Sequence, residues 1–253
     1  MTLWTPEHIR SLRPALGVMI LVAMVLRHFL KDKPLRVRMI PIQILTVLLV
    51  LAEIGKQVLS FARGYDLYHI PLHFCSLFIF LLPVMAFYRG VHQEKVFAIT
   101  STLCMSMSLL LLIYPSLIYS AGNIRDFFHG YFDFHTVFFH NIVLFVAILI
   151  VTLCPHTGKS KGLWRPVLVF TLVYCIIAAV MAQVLQVNFN NFYSCNIPPL
   201  EDLRISMQGT LGYWPTQILY VLIVTVLDIG FVQLSLRLHL LLRRIVNRRT
   251  ICV

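Results

Sequence analysis

Residues 132–154 read FDFHTVFFHNIVLFVAILIVTLC. A helix that crosses a bilayer needs about 20 mostly apolar residues, so this stretch predicts a transmembrane helix. Six further apolar runs bring the predicted number of spans to seven, and the chain is predicted to be an all-α, polytopic membrane protein. The other runs are Pro14–Leu30, Met39–Phe61, His69–Tyr88, Val96–Tyr119, Pro166–Val187 and Gly212–Leu242.

The composition supports this fold class. The chain has 253 residues, 59% hydrophobic and 12% charged, with a mean hydropathy of +0.83. Soluble domains carry about 25% charged residues, so a soluble enzyme is excluded. We predict one seven-helix domain over residues 1–253. A signal peptide is the alternative for the first run, but the chain continues into Lys31–Pro34 without a small-residue cleavage site.

Basic residues are distributed unequally between the two predicted sides of the membrane. Lys and Arg total 21 against 10 Asp and Glu. In a soluble protein this excess would indicate nucleic acid, but here the positive-inside rule explains it, and no nucleic-acid partner is predicted. The rule places the N-terminus outside and the C-terminus in the cytosol of a multi-pass cell-membrane protein. The basic side holds Lys31, Lys33, Arg36, Arg38, Arg89, Lys95, Lys159, Lys161, Arg165, Arg237, Arg243, Arg244, Arg248 and Arg249, against Arg10, Arg13, Arg63, Arg125 and Arg204.

Polar side chains cluster at the outer ends of the predicted helices. Such residues are costly in a membrane and usually functional. Three separate segments bring a thiol, imidazoles and amides to a similar depth. These candidate site residues are His69, His73 and Cys75 in the third run, His135 and His140 in the fifth, and Asn190 and Asn191 in the loop before the seventh.

Cys75 and His140 are the candidate nucleophile and base. With a rise of 1.5 Å per residue, they lie roughly 10 and 12 Å into helices that enter from the same side. In a regular helix neither His69 nor His73 shares the face of Cys75, so its partner is expected from the fifth helix. His135 and His140 are about 140° apart, so only one is expected in the same cavity. The alternative is that Cys75 is a small packing residue.

Other polar residues leave two different functions open. Glu53 and Lys56, at i and i+3, predict an ion pair within the membrane. Asp228 is either a hydrogen-bonded, neutral side chain or a functional carboxyl group. With His69, these three residues suit a small-solute or proton-coupled transporter, or a lipid-binding protein without catalysis. The spacing of His69 and His73 also suits a metal site of a hydrolase.

Four segments carry a resemblance to a known family. Residues 70–77 read IPLHFCSL, which resembles the Pro-Leu-His-x-Cys segment of the YwaF family of bacterial integral membrane proteins. Tyr114-Pro115, Phe138–His140 and Asn188–Pro199 are also similar to that family in order and spacing. The family is related to an animal membrane acyltransferase, transmembrane protein 164, which moves fatty acyl chains between phospholipids through an acyl-cysteine.

The resemblance implies an acyltransferase or acyl-ester hydrolase. Cys75 would be its nucleophile and His140 its general base, with a phospholipid or fatty acyl ester as substrate and no cofactor or metal. Phe192 stands where the family has a Tyr, so a hydroxyl role there is not carried over. We expect His73, Asn190 and Asn191 to hold the oxyanion or the head group, with His69 and His135 as further binding residues. The acyl chain is expected along aromatic residues whose alternative role is to face lipid: Tyr131, Phe132, Phe134, Phe138 and Phe139.

Overall fold

The computed structural model describes residues 3–154 and 162–248, and within these ranges it consists of helices and loops without a β-strand. Three short 3₁₀ turns accompany the α-helices, at Leu67–His69, Cys75–Leu77 and Phe189–Asn191. The α-helices are α1 (Pro6–Leu30), α2 (Leu35–Arg38), α3 (Ile40–Ala62), α4 (Phe78–Phe87), α5 (Gln93–Ile113), α6 (Pro115–Ile118), α7 (Ala121–Arg125), α8 (Tyr131–Leu153), α9 (Trp164–Leu185), α10 (Pro198–Leu211) and α11 (Tyr213–Arg248).

Six of these elements are long and apolar enough to cross a membrane, counting only the part of the chain that the structure describes. They are α1, α3 together with α2, α5, α8, α9 and α11. Their outward faces carry large exposed apolar side chains such as Val58, Val184 and Val226. The chain is therefore a multi-pass α-helical membrane protein, as the sequence predicts.

The prediction of one continuous helix for the third span, His69–Tyr88, is wrong. Residues 70–74 form no helix, and the regular part, α4, has 10 residues. At 1.5 Å per residue α4 spans about 15 Å, roughly half of a bilayer core. Pro71 holds Ile70 in an extended conformation, with φ −59° and ψ 132°. The angular argument that assumed a helix from His69 to Cys75 therefore does not apply.

Prolines also set other helix boundaries that differ from the predictions. α5 ends at Ile113 because Pro115 follows Tyr114, whose φ of −138° is not helical. The loop before the last span contains α10, a helix that the sequence analysis did not predict and that begins with Pro198.

Helix α8 forms the centre of the molecule. It packs against α1, α3, α5, α7 and α11, and Val143, Val146, Leu149 and Ile150 along it are buried. Two arginines from other helices satisfy carbonyl groups at its C-terminal end: Arg27 donates to Thr152 at 2.6 Å and Arg243 donates to Cys154. The basic residues Lys159, Lys161 and Arg249 lie outside the described residues, as does the side chain of Arg248.

Candidate active site

A cavity of about 310 Å³ lies between α3, α5, α8, α11 and two irregular segments, 68–76 and 188–196. All seven site residues predicted from the sequence line it, although they come from three distant parts of the chain. The side chains named for the transporter alternative also lie on its wall. The predicted site residues there are His69, His73, Cys75, His135, His140, Asn190 and Asn191, and the other charged ones are Glu53, Lys56 and Asp228.

Cys75 begins the 3₁₀ turn that leads into α4, so its thiol lies where the irregular segment meets the helix. The main chain before it is fixed by the Tyr174 hydroxyl, which donates to the Leu72 carbonyl at 3.1 Å. Cys75 is partly buried and carries a free thiol. Irregular backbone at membrane depth is tolerated where it lines a cavity, and this segment does so.

His73 folds back onto its own loop. Its Nε2 lies 3.1 Å from the Tyr68 carbonyl, and its ring meets Phe189 edge to face at 5.2 Å. A neutral ring that donates from Nε2 to a carbonyl keeps its lone pair on Nδ1.

His140 has a defined tautomer. Its Nδ1 lies 2.6 Å from the Thr136 carbonyl, one turn earlier on α8. A carbonyl accepts only, so Nδ1 carries the proton and Nε2 keeps the lone pair. Within the described ranges no carboxylate pairs with His140. It is therefore a neutral imidazole with one basic nitrogen, in the same cavity as Cys75.

His135 lies in a charged cluster on the same helix. Its Nε2 is 2.8 Å from Glu53 Oε2, while Glu53 Oε1 accepts from Lys56 at 2.9 Å and Gln57 at 2.7 Å. The predicted Glu53–Lys56 ion pair is therefore confirmed. The link from Glu53 to His135 was missed, because it joins α3 to α8 and leaves no local pattern in the sequence.

His69 is held by different contacts. Its Nδ1 is 2.6 Å from Ser60 Oγ, and its ring stacks on Phe132 at 5.0 Å. No group of three or more His, Cys, Asp or Glu side chains in the described part of the chain is arranged to hold a metal ion. The alternative of a metal site on His69 and His73 therefore gains no support.

Asn190 and Asn191 form a left-handed turn, with φ of 50° and 61°. Asn tolerates this conformation better than most residues. The turn brings the Asn190 amide to Asp228, to which it donates at 2.6 Å, and the Tyr220 hydroxyl donates to the Asn191 carbonyl. Asp228 is thus hydrogen-bonded by a residue from a segment distant in sequence, while it also lines the cavity.

Two expectations about the cavity wall need correction. Both His135 and His140 line the cavity, although their 140° separation predicted that only one would, because the cavity extends along α8 and partly around it. Of the five aromatic residues expected along the acyl chain, Phe132 and Phe139 are on the wall. Tyr131 instead donates to Ala52 at 2.8 Å, and the other two, Phe134 and Phe138, stack on each other at 5.0 Å.

We expect Asn190→Gly to destabilise the protein by about 1 kcal/mol, because it removes the donor to the partly buried Asp228 carboxyl group without backbone strain. Asn191→Gly is the matched control, since it has the same left-handed backbone in the same turn and donates no side-chain bond to Asp228. Thermal unfolding in detergent measures both. Equal midpoints for the two variants would contradict a stabilising role of the Asn190–Asp228 bond.

The fold and the cavity define a class of protein: a multi-pass α-helical membrane protein that brings a thiol, imidazoles and carboxylates from separate helices into one cavity. The chain belongs to the TMEM164 family, whose family model matches residues 3–232. That range includes every residue lining the cavity. No curated protein and no solved structure matches the chain. Membership confirms the kinship with transmembrane protein 164, while the YwaF name stays a resemblance.

Proposed function

We propose that the protein is a membrane-embedded enzyme that transfers or hydrolyses fatty acyl chains of phospholipids through an acyl-cysteine on Cys75. The observation that carries the proposal is the presence of Cys75 and His140 in one cavity, with the His140 proton held on Nδ1. An imidazole with its lone pair on Nε2 is the form that accepts a thiol proton. Family membership supports the same chemistry.

The first half-reaction follows from these groups. His140 Nε2 accepts the thiol proton, and the Cys75 sulfur attacks the ester carbonyl carbon. The C–S bond forms, the C–O bond to the leaving alcohol breaks, and the alcohol oxygen takes the proton from His140. Asn190 and Asn191 lie on the same wall, and their side-chain amides have N–H groups that can donate hydrogen bonds to the oxyanion or the head group. His73 gives its one proton to the Tyr68 carbonyl and so offers the head group an acceptor, Nδ1.

The wall of the cavity suits a molecule with a polar and an apolar end. Met107, Leu110 and Phe139 supply apolar surface, while the Glu53–Lys56 ion pair supplies polar surface. A phospholipid has both an acyl chain and a polar head group, so it matches this division. Thiol chemistry on an acyl ester needs no metal and no cofactor.

We propose that the chain crosses the membrane seven times, with α4 and the irregular segment before it forming the remaining crossing. The charge bias in the connections supports an outer N-terminus and a cytosolic C-terminus. This orientation directs the cavity toward the outer leaflet of the cell membrane. Helix α4 spans about 15 Å, and the 3₁₀ turn Cys75–Leu77 with the turns before it would supply the rest of the crossing.

A transporter uses some of the same residues, and the contacts of these residues distinguish the two functions. Glu53 is held by three neighbours, and Asp228 accepts from Asn190. Carboxylates whose oxygens already have such partners are suited to holding neighbouring side chains in place rather than to carrying a proton or a solute. We therefore keep proton or solute transport as the second candidate. Substrate-dependent uptake into vesicles would favour transport over acyl transfer.

An acyl-transfer assay tests the proposal. The protein is placed in nanodiscs with a phospholipid that carries a labelled acyl chain, in a Cys195→Ala background that removes the other partly exposed described thiol. We expect the label on added lysolipid or as free fatty acid, with loss of turnover after thiol alkylation and no effect of a chelator. Turnover that resists alkylation and stops with the chelator would contradict thiol chemistry.

A further inference from the structure

Two imidazoles on α8 line the same cavity and differ in what supports them. His140 bonds to a main-chain carbonyl, whereas His135 is 2.8 Å from the Glu53 carboxylate. The two oxygens of Glu53 divide their contacts, because Lys56 and Gln57 bind Oε1 and leave Oε2 to His135. Glu53 and His135 are both buried, at 4% and 6% exposure. The carboxylate therefore acts on the imidazole with little screening by water.

An acyl-cysteine mechanism needs a base in each half-reaction. The first base takes the proton of the Cys75 thiol, and the second takes the proton of the hydroxyl that accepts the acyl group. A thiol is intrinsically much more acidic than a hydroxyl, so its proton passes more readily to a neutral imidazole. The acceptor is a hydroxyl, whose proton is far harder to remove, with a pKa near 15.7 for water. A carboxylate beside an imidazole stabilises the imidazolium that forms. The imidazole that is paired with a carboxylate therefore suits the second of these proton transfers.

The positions of the two imidazoles along α8 are consistent with different roles, His140 in formation of the acyl-cysteine and His135 in its breakdown. His135 and His140 are five residues apart, which corresponds to about 7.5 Å along the helix axis. His135 lies nearer the start of α8, beside Lys56 and His69 in the charged part of the cavity. A hydroxyl acceptor that enters through the charged part of the cavity would meet His135 before His140.

We propose that His135, oriented by Glu53, is the general base that delivers the acceptor hydroxyl to the acyl-cysteine. The inference rests on the proposed function. The acceptor is water or the glycerol hydroxyl of a lysolipid. Its proton moves to the free nitrogen of His135, Nδ1, and its oxygen bonds to the thioester carbonyl carbon. The C–S bond breaks, and the sulfur of Cys75 leaves with the electron pair and regains one proton from the imidazolium. Glu53 is a positioning residue.

The test measures the decay of the acyl-enzyme. Wild type, His135→Gln and Glu53→Gln are loaded with a labelled phospholipid, separated from free lipid, and given lysolipid. Intact mass spectrometry then follows the acyl adduct over time. His129→Gln is the control. His129 is an exposed imidazole that lies just before α8 and is not among the residues that line the cavity.

We expect both cavity variants to acquire the adduct and to lose it at least about 100-fold more slowly than wild type, the lower end of what general-base catalysis supplies. The His129→Gln adduct should decay as in wild type. Formation of the adduct also shows that the variants fold with a working thiol. Rescue of the rate by Glu53→Asp would mark the positioning role of that carboxylate.

Two results would overturn the inference. One is an adduct on His135→Gln that decays at the wild-type rate. The other is no adduct on either cavity variant while wild type acquires one, because the cluster would then serve the first step or the fold. An absence of adduct on wild type is a different result, since it rejects the acyl-cysteine itself.

Discussion

Cys75→Ala is expected to reduce acyl turnover by about 10⁴-fold or more, because removal of the nucleophile leaves only the contribution of binding and oxyanion contacts. The substitution removes one sulfur atom from a partly buried position, so the fold should persist. Turnover of labelled phospholipid in nanodiscs measures the effect. Unchanged turnover in this variant would exclude Cys75 as the nucleophile.

Matched variants separate chemistry from packing. Cys104→Ala removes a buried thiol from the main core, and Cys175→Ala removes one from a second core cluster. Both should lower thermal stability and leave turnover per folded molecule near the wild-type value. Cys75→Ser, which keeps the shape but has a far less acidic proton, should be as inactive as Cys75→Ala.

His140→Ala is expected to slow formation of the acyl-enzyme by about 10²–10⁴-fold, the usual contribution of a positioned general base. The cause is the loss of Nε2 as the proton acceptor for the Cys75 thiol. Single-turnover loading of the labelled adduct measures the effect, with His129→Gln as the control. Added imidazole should restore part of the rate in His140→Ala, because the vacated space lies on the cavity wall.

Lipid binding should survive in His140→Ala. The imidazole of His140 contacts the Thr136 carbonyl and the rings of Phe139 and Tyr119, at 5.7 and 6.2 Å. None of these is a polar side chain expected to bind the head group, so the head-group side of the cavity should stay intact. Loss of lipid binding together with loss of loading would instead assign His140 a structural or binding role.

Long apolar runs made the class of fold predictable. The run at 132–154 corresponds closely to α8, which extends over Tyr131–Leu153, because helix formation in a bilayer depends on local composition. The cost of polar groups in lipid also directed attention to His135 and His140, and the structure places both on one cavity wall. The energetic cost of a polar side chain in the membrane, however, gives no information about which other residues it contacts.

Non-local contacts and proline geometry explain what the sequence left open. The contacts from Glu53 to His135 and from Asn190 to Asp228 join separate helices and have no periodic signature. Pro71 lies in an apolar run that otherwise satisfies the composition of a helix, so its effect was underestimated. As a result, Cys75 was expected within a helix and instead begins one.

The most direct test of the account is intact mass spectrometry of the purified protein after incubation with mixed phospholipids. Wild type is compared with Cys75→Ala and His140→Ala. The account predicts a fatty-acyl mass increment on wild type, no increment on Cys75→Ala and little on His140→Ala. No increment on wild type with any lipid, or an equal increment on Cys75→Ala, would contradict an acyl-cysteine at Cys75.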